Sequence, residues 1–497
     1  MKHLAYIAAI AMGLLCATVC EAVKWPIIEQ DSSHALNKTY GDWNSKYVLG
    51  AGFHTGVDIP SDTGLAVFSV VNGYIICIQK DSINNYKNGC VIIGSTMADS
   101  VGWHCGHIRP KQGINLGDIV SIGDTIGFVA SFPGDNHIHF MKSNDTTGFI
   151  GYQNPLDSLI PEPFQSPRIC PKANVSHPYE IYYYKDQNDS ISNNYGATTS
   201  YLRGAVDITV RAATTINGDT ICGVYSLGYG ITPKNSGGNI PFRKMFEMTG
   251  QIALDTARYF LTYNKLLSTD TAQYYIVTNC GNTAPIGLSN IKDSCWNTKA
   301  HKTTSGADAD SIEDALFPDG YYVTTVKAWA HNGDSVVAID DSILVDNFAP
   351  RVKKTYPAKW DSVMATRKLW CTFSEKMDSH TVVYQQPVRV ISYRNDTLDV
   401  SSVQYVCDTM KITLAKRLLP RDTVKVQLLS RIHDLAGKPI EGGVKADSVA
   451  YEWTFTTTGI IQITDNDIND RQCDVWHGKV VWRESAVGAS LGKIKNV

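Results

Sequence analysis

The chain has 497 residues, 43% of them hydrophobic and 19% charged, with a formal net charge of −3. That length predicts roughly three or four domains at about 100–200 residues each, and the near-neutral balance, without a basic excess or a single-sign tail, excludes nucleic acid as a partner. Its 25 Tyr, 14 Phe and 10 Trp suffice for packed cores, and its 39 Gly, with recurrent Asn-Gly and Asp-Gly pairs, favour an all-β architecture.

Residues 1–22 read MKHLAYIAAIAMGLLCATVCEA. Basic Lys2, an apolar run and a small-residue cleavage site match a secretory signal peptide. The run is shorter than the about 20 apolar residues of a membrane span. No later stretch is apolar enough to cross a bilayer, so a secreted protein of the periplasm, envelope or exterior is expected, without stable membrane insertion. Ten of the 12 cysteines follow this segment, and an exported chain permits disulfides. Cys105 is expected to pack in the core or to bridge to Cys77 or Cys90. The absence of any C-x-x-C spacing argues against structural zinc on sulfur.

Residues 23–165 are dense in short β runs separated by Gly turns, among them "GDIVSIGDTIGFVA". Within "GFHTGVDIP", residues 52–60, His54 and Asp58 stand four apart. Gly56, Val57, Ile59 and Pro60 disfavour a helix, so the pair is expected to share one face of an extended segment. "DNHIHF" places His137 and His139 two apart, again on one strand face. "GWHCGHI" adds His104 and His107. A zinc hydrolase needs three N/O ligands, an open position for water and a group to move the water's proton. His54, Asp58 and one member of the H-x-H pair can supply the ligands; the other member and a further histidine can supply the acid–base work. His104 is expected to face the other side of the strand from His107, whereas Cys105 shares the His107 face. His34, upstream of these motifs, is read as incidental.

Three prolines within residues 161–167 mark a linker. All the candidate site residues precede it, so a fragment ending near residue 165 is expected to keep the chemistry. Residues 168–348 form a second β-rich unit with an inserted helix near 255–267. In it Tyr322, Thr324, Val326 and Ala328 alternate with Val323, Thr325, Lys327 and Trp329. "FAPRV" opens a third unit, 349–458, whose strands include "KLWCTFSE" and "YEWTFTTTG". Its acidic residues Asp378 and Asp434 could bind calcium but are read as solvated turn residues. A polar tail, 459–497, remains unassigned.

On these motifs, residues 36–142 resemble the lysostaphin/LytM-type M23 metallopeptidases, which cleave peptide bonds in bacterial peptidoglycan. The matches are "YGDW", "FHTGVDIP", "GHI" and the approach to "HIHF". The resemblance implies a small antiparallel β-sandwich with one zinc per chain on the floor of a groove. It makes His54, Asp58 and His139 the zinc ligands and His107 and His137 the catalytic histidines. "PGDNHIHF" departs from the family's usual Gly-Pro before His-Leu-His, and Cys105 sits where an aromatic is common. Residues 168–348 are similar to Ig-like or fibronectin-like sandwiches. Residues 349–458 resemble bacterial Ig-like modules through "TFSEKMD", "HDLAGKPI" and "YEWTFTTT". The implied function is a secreted zinc endopeptidase acting on peptidoglycan cross-bridges or stem peptides. The alternative is a non-catalytic envelope module that binds wall or activates a separate amidase.

Overall fold

The computed structural model describes residues 22–461 apart from 46–51, 133, 145–149, 172–178, 186–200, 219, 254–255, 280–290, 367, 395–396, 444 and 446. The signal-like segment through residue 21 and the tail after 461 lie outside the described residues. The fold is all-β. One compact unit comprises residues 1–300 and 321–344, and the other 301–320 and 345–497.

In the first unit the short runs become strands β1 (Trp43–Asn44), β2 (Gly52–Phe53), β3 (Val57–Pro60), β4 (Ala66–Phe68), β5 (Gly73–Gln79), β6 (Cys90–Gly94), β7 (Gly102–Gly106), β8 (Ile108–Pro110), β9 (Ile119–Val120), β10 (Thr125–Val129) and β11 (His137–Ser143). Six of them form one sheet in the order β3-β11-β7-β6-β5-β9, and β4-β10-β8 form another. The pairs are antiparallel, with Ile138 opposite Ile59 and Phe140 opposite both Val57 and Cys105. Period-2 alternation turns Ile138 and Phe140 into the core and leaves His137 and His139 on the opposite face. Phe140 stacks on Trp103 with ring centroids 5.1 Å apart. The core is buried Val57, Ile59, Val91, Ile93 and their neighbours, continuous with Ile216 and Cys222 from further along the chain. Gly56 permits the approach of β11, because a Cβ there would stand 2.5 Å from the Phe140 carbonyl oxygen.

Further along this unit, the strand Ala205–Ile216 pairs with Gln165–Ile169 and Ile181–Lys185. A second sheet runs Ile240–Glu247, Ser226–Pro233, Gly320–Trp329 and Ser335–Val345. Tyr322, Thr324, Val326 and Ala328 are buried and the residues between them are not, as their alternation predicts. The helix near 255–267 is shorter than expected, Thr256–Thr262. Asn264 Oδ1 accepts from the amides of Leu266 and Leu267, replacing the helix's own carbonyls as their partners. The helix packs on β1 and β2: Tyr259 stacks on Trp43 at 4.5 Å and meets Phe53 edge-on at 5.3 Å. The Tyr263 hydroxyl donates to the Gly41 carbonyl at 2.7 Å.

The second unit has two sheets. One runs Val352–Tyr356, Lys368–Phe373, Thr409–Leu414 and Val400–Val406, and the other contains Ser362–Ala365, Val449–Ile461, Thr423–Leu429 and Val388–Ser392. Buried Leu369, Phe373, Ile412, Val426, Trp453 and Phe455 belong to its core. Ser362–Ala365 pairs parallel to Val449–Ile461. Among the described residues, no helix is long and apolar enough to cross a membrane.

Candidate metal centre and histidine pair

His54 leaves β2 and Asp58 lies in β3, with the bend at Gly56 between them. In the register of β3 and β11, Asp58 stands opposite His139. The three side chains converge. His54 Nε2 is 3.0 Å from Asp58 Oδ1 and 3.1 Å from His139 Nδ1, and His139 Nδ1 is 2.9 Å from Asp58 Oδ1. All three residues are buried.

His54 Nδ1 lies 3.0 Å from the Thr39 carbonyl oxygen. A carbonyl only accepts, so Nδ1 carries the proton and Nε2 of the neutral ring presents a lone pair. That lone pair meets the Asp58 carboxylate oxygen, a contact that a cation between the two resolves. Two imidazole nitrogens and a carboxylate oxygen are a donor set suited to zinc, and a carbonyl fixing the tautomer of a ligating histidine is its usual support. These residues fit a zinc ion.

His107 and His137 stand beside this cluster, with ring centroids 4.7 Å apart, and His107 is 5.9 Å from His139. His137 Nδ1 lies 2.6 Å from the Asp135 carbonyl oxygen, and His107 Nδ1 bonds the Lys87 carbonyl. By the same logic both neutral rings offer Nε2 to the site. Phe132 packs against both rings, at 5.1 Å and 5.4 Å, under the Lys87 ammonium.

His107 sits between β7 and β8 at φ +57°, in the left-handed region. This breaks the strand alternation and corrects two expectations. His104, within β7, is buried with its ring centroid 6.4 Å from His139, so it does not face away from the metal cluster. Cys105, opposite Phe140, points into the core instead of siding with His107. The thiols of Cys77 and Cys105 carry no disulfide, so packing is the outcome for Cys105. Half-buried His34 has a local role, its Nε2 3.0 Å from the Glu29 carbonyl oxygen and its ring against Trp25.

The electrostatics of the cluster are set by burial and mutual contact. Burial alone would raise the Asp58 carboxyl, but the adjoining imidazoles of His54, His137 and His139 hold it well below the usual carboxylate range. Burial pushes His139 down, against its bond to Asp58. Burial, with His137 and His139 adding to it, pushes His107 down to about 4.

Asp42 belongs to "YGDW" yet shows no role in the sequence. Its buried carboxylate accepts from the Thr39 amide and hydroxyl, each at 2.8 Å, and from the Gly223 amide at 2.9 Å. Asp42 therefore fixes the turn whose Thr39 carbonyl orients His54, and Gly223 fixes Asp42 from beyond the proline linker. The Thr-x-x-Asp spacing is a turn signature that could have flagged it. A cleft of about 530 Å³ is lined by Ile28, Asn37, Pro60, Leu65, Asp135 and Asn136, among others, but by none of His54, Asp58, His107, His137 and His139.

Residues 346–457 match the family model described as a bacterial Ig-like domain. Among curated proteins, none matches this chain. Solved structures with some similarity include the N-terminal part of the bacterial S-layer protein SbsC, at 20% identity over 22% of this chain and 24% of that one, with a TM-score of 0.18. The catalytic domain of a mutant of the prophage-encoded M23 protein EnpA from Enterococcus faecalis is 22% identical over 24% of this chain and 86% of that one, TM-score 0.19. A zinc-containing peptidase from Vibrio cholerae is 18% identical over 24% of this chain and 37% of that one, TM-score 0.19. The match to the S-layer protein spans about a quarter of that protein's length.

Proposed function

We propose that this chain is an exported zinc metalloendopeptidase that hydrolyses peptide bonds in peptidoglycan cross-bridges or stem peptides. His54, Asp58 and His139 hold the metal in this reading, and His107 and His137 are catalytic. The observation that carries it is the set of backbone carbonyls. Those of Thr39, Lys87 and Asp135 each take an Nδ1 proton; His54 and His137 turn Nε2 to the Asp58 carboxylate, at 3.0 Å and 3.6 Å, and the His107 ring stands beside them.

A zinc ion held there supplies a Lewis acid that polarises a scissile carbonyl and acidifies water. His107, kept neutral by burial, is fitted to accept a proton at Nε2. His137, its ring fixed at Nδ1 by the Asp135 carbonyl, can donate to the developing oxyanion once its Nε2 has taken a proton. The Ig-like modules serve as spacers or wall-binding arms.

Full-length protein incubated with purified peptidoglycan is expected to release new amino groups without new reducing sugar ends. The release should stop with a chelator and return with zinc. Binding to wall with no amine release in the presence of zinc would replace this reading with the non-catalytic envelope module.

A further inference from the structure

The second unit holds a cluster that the peptidase reading does not use. Asp346 of "VDNFAP", Glu375 of "TFSEKMD" and Asp434 of "HDLAGKPI" are far apart in sequence, yet one oxygen from each lies within 4.8 Å of the others. All three are buried, with Glu375 only 9% and Asp434 only 2% exposed. Asp434 is therefore no solvated turn residue. Asp378 is one: its side chain caps the helix Ser379–Tyr384 through the His380 amide at 2.9 Å.

Two carboxylate oxygens in this cluster accept no hydrogen bond, Glu375 Oε1 and Asp434 Oδ2. Asp434 Oδ1 is occupied, taking the amides of Ala436 and Lys438 at 2.9 Å and 2.8 Å. A buried carboxylate oxygen without a donor is costly, and two facing one spot call for a positive partner. Lys438 supplies one charge at the edge: its ammonium ion-pairs with Asp346 and donates to the Asp346 and Phe348 carbonyls. Beside the same segment, the Asp319 carboxylate accepts from the amides of Asn347 and Phe348 at 2.7 Å and 2.8 Å. Four carboxylates thus face one ammonium.

We propose that Asp346, Glu375 and Asp434 form a calcium-binding site in the Ig-like unit. The donors are hard oxygens from carboxylates, with no sulfur or imidazole among the three, which selects calcium or magnesium over zinc. Calcium takes oxygens at about 2.3–2.6 Å in a flexible shell, so ligand oxygens up to nearly 5 Å apart can share it. The irregular loops favour it over magnesium, which demands a regular octahedron. Three buried carboxyl groups thus stand against a single ammonium, which Asp346 already engages. A divalent ion lets the cluster ionise in place.

The test is equilibrium dialysis of the zinc-saturated full chain against radiolabelled calcium, up to about 10 mM, because extracellular calcium modules bind at about 10⁻⁴–10⁻³ M. One calcium per chain is expected. Glu375→Gln and Asp434→Asn should each weaken it at least about tenfold, since each removes a charged ligand of a site whose affinity follows ligand charge. Both substitutions keep the side-chain shape, so folding is checked by thermal melting. In calcium-free buffer the variants should melt no lower than wild type, because each amide replaces an acid crowded by other buried acids. With calcium only wild type should rise. No calcium bound by wild type, or equal binding by both variants, overturns the proposal.

Discussion

In the first unit Asp58 is buried among three imidazoles, and in the second Glu375 is buried among three carboxylates. Burial disfavours the charge of both acids, yet one carboxyl is held well below its ordinary range and the other rises to about 9. Burial therefore does not decide the protonation of a buried acid; its neighbours do. The imidazole neighbours of Asp58 let a mixed N/O site stay ionised before metal arrives. The carboxylate neighbours of Glu375 make an all-oxygen site that depends on a cation to ionise.

The sharpest way to break this contrast is to remove a donor from the first cluster. His54→Ala or Asp58→Ala should abolish stoichiometric zinc by elemental analysis and take amine release to background. Both variants keeping one zinc would overturn the ligand set.

A smaller effect probes the support behind the cluster. Asp42→Ala frees the Thr39 turn and should weaken zinc about 10–100-fold, the usual worth of an outer hydrogen-bond partner. Competition with a coloured chelator reads this directly, and unchanged affinity would show that Thr39 holds His54 without Asp42. A fragment ending near residue 165 lacks Gly223, Tyr259 and Tyr263. It should therefore melt lower and hold zinc more weakly than the intact chain.

The smallest expected effect comes from a third arrangement, one imidazole between two carboxylates. His331 lies 2.8 Å from Asp157 and 2.7 Å from Glu162. Burial opposes its protonation, but the bonds to Asp157 and Glu162 raise it from 6.5 to about 9. The folded value exceeds the unfolded one, so this contribution to stability is full below pH 6.5 and is lost as pH rises through about 9. The melting temperature should fall across that window, and His331→Ala should flatten the slope. An identical slope in the variant would assign it to other groups.

Much of the first site is legible in sequence because strand alternation is local. The spacing of His137 with His139 puts that pair on one face of β11, whereas His54 meets Asp58 across the bend at Gly56 and not by alternation along one extended segment. His107 was harder, because its left-handed backbone, adopted by the histidine itself and not by the adjacent Gly106, reverses the facing expected of His104 and Cys105. Only the local half of Asp42's role, its turn with Thr39, is legible in sequence; its other partner, Gly223, lies beyond the linker. Asp434 was misread for a similar reason: a "HDLAGKPI" loop looks solvated until Asp346 and Glu375 close over it. The Ig-like module itself was plain, carried by quoted strands and loops within the matched residues 346–457.

The claim that three side chains hold the metal while two others do the chemistry is tested most directly by His107→Ala and His137→Ala. Zinc content and amine release from peptidoglycan should be measured on the same preparations. Each variant is expected to keep one zinc and its fold while releasing amines about 10²–10⁴-fold more slowly, the range of acid–base catalysis. Loss of zinc in either variant, or release at the wild-type rate, would contradict the account.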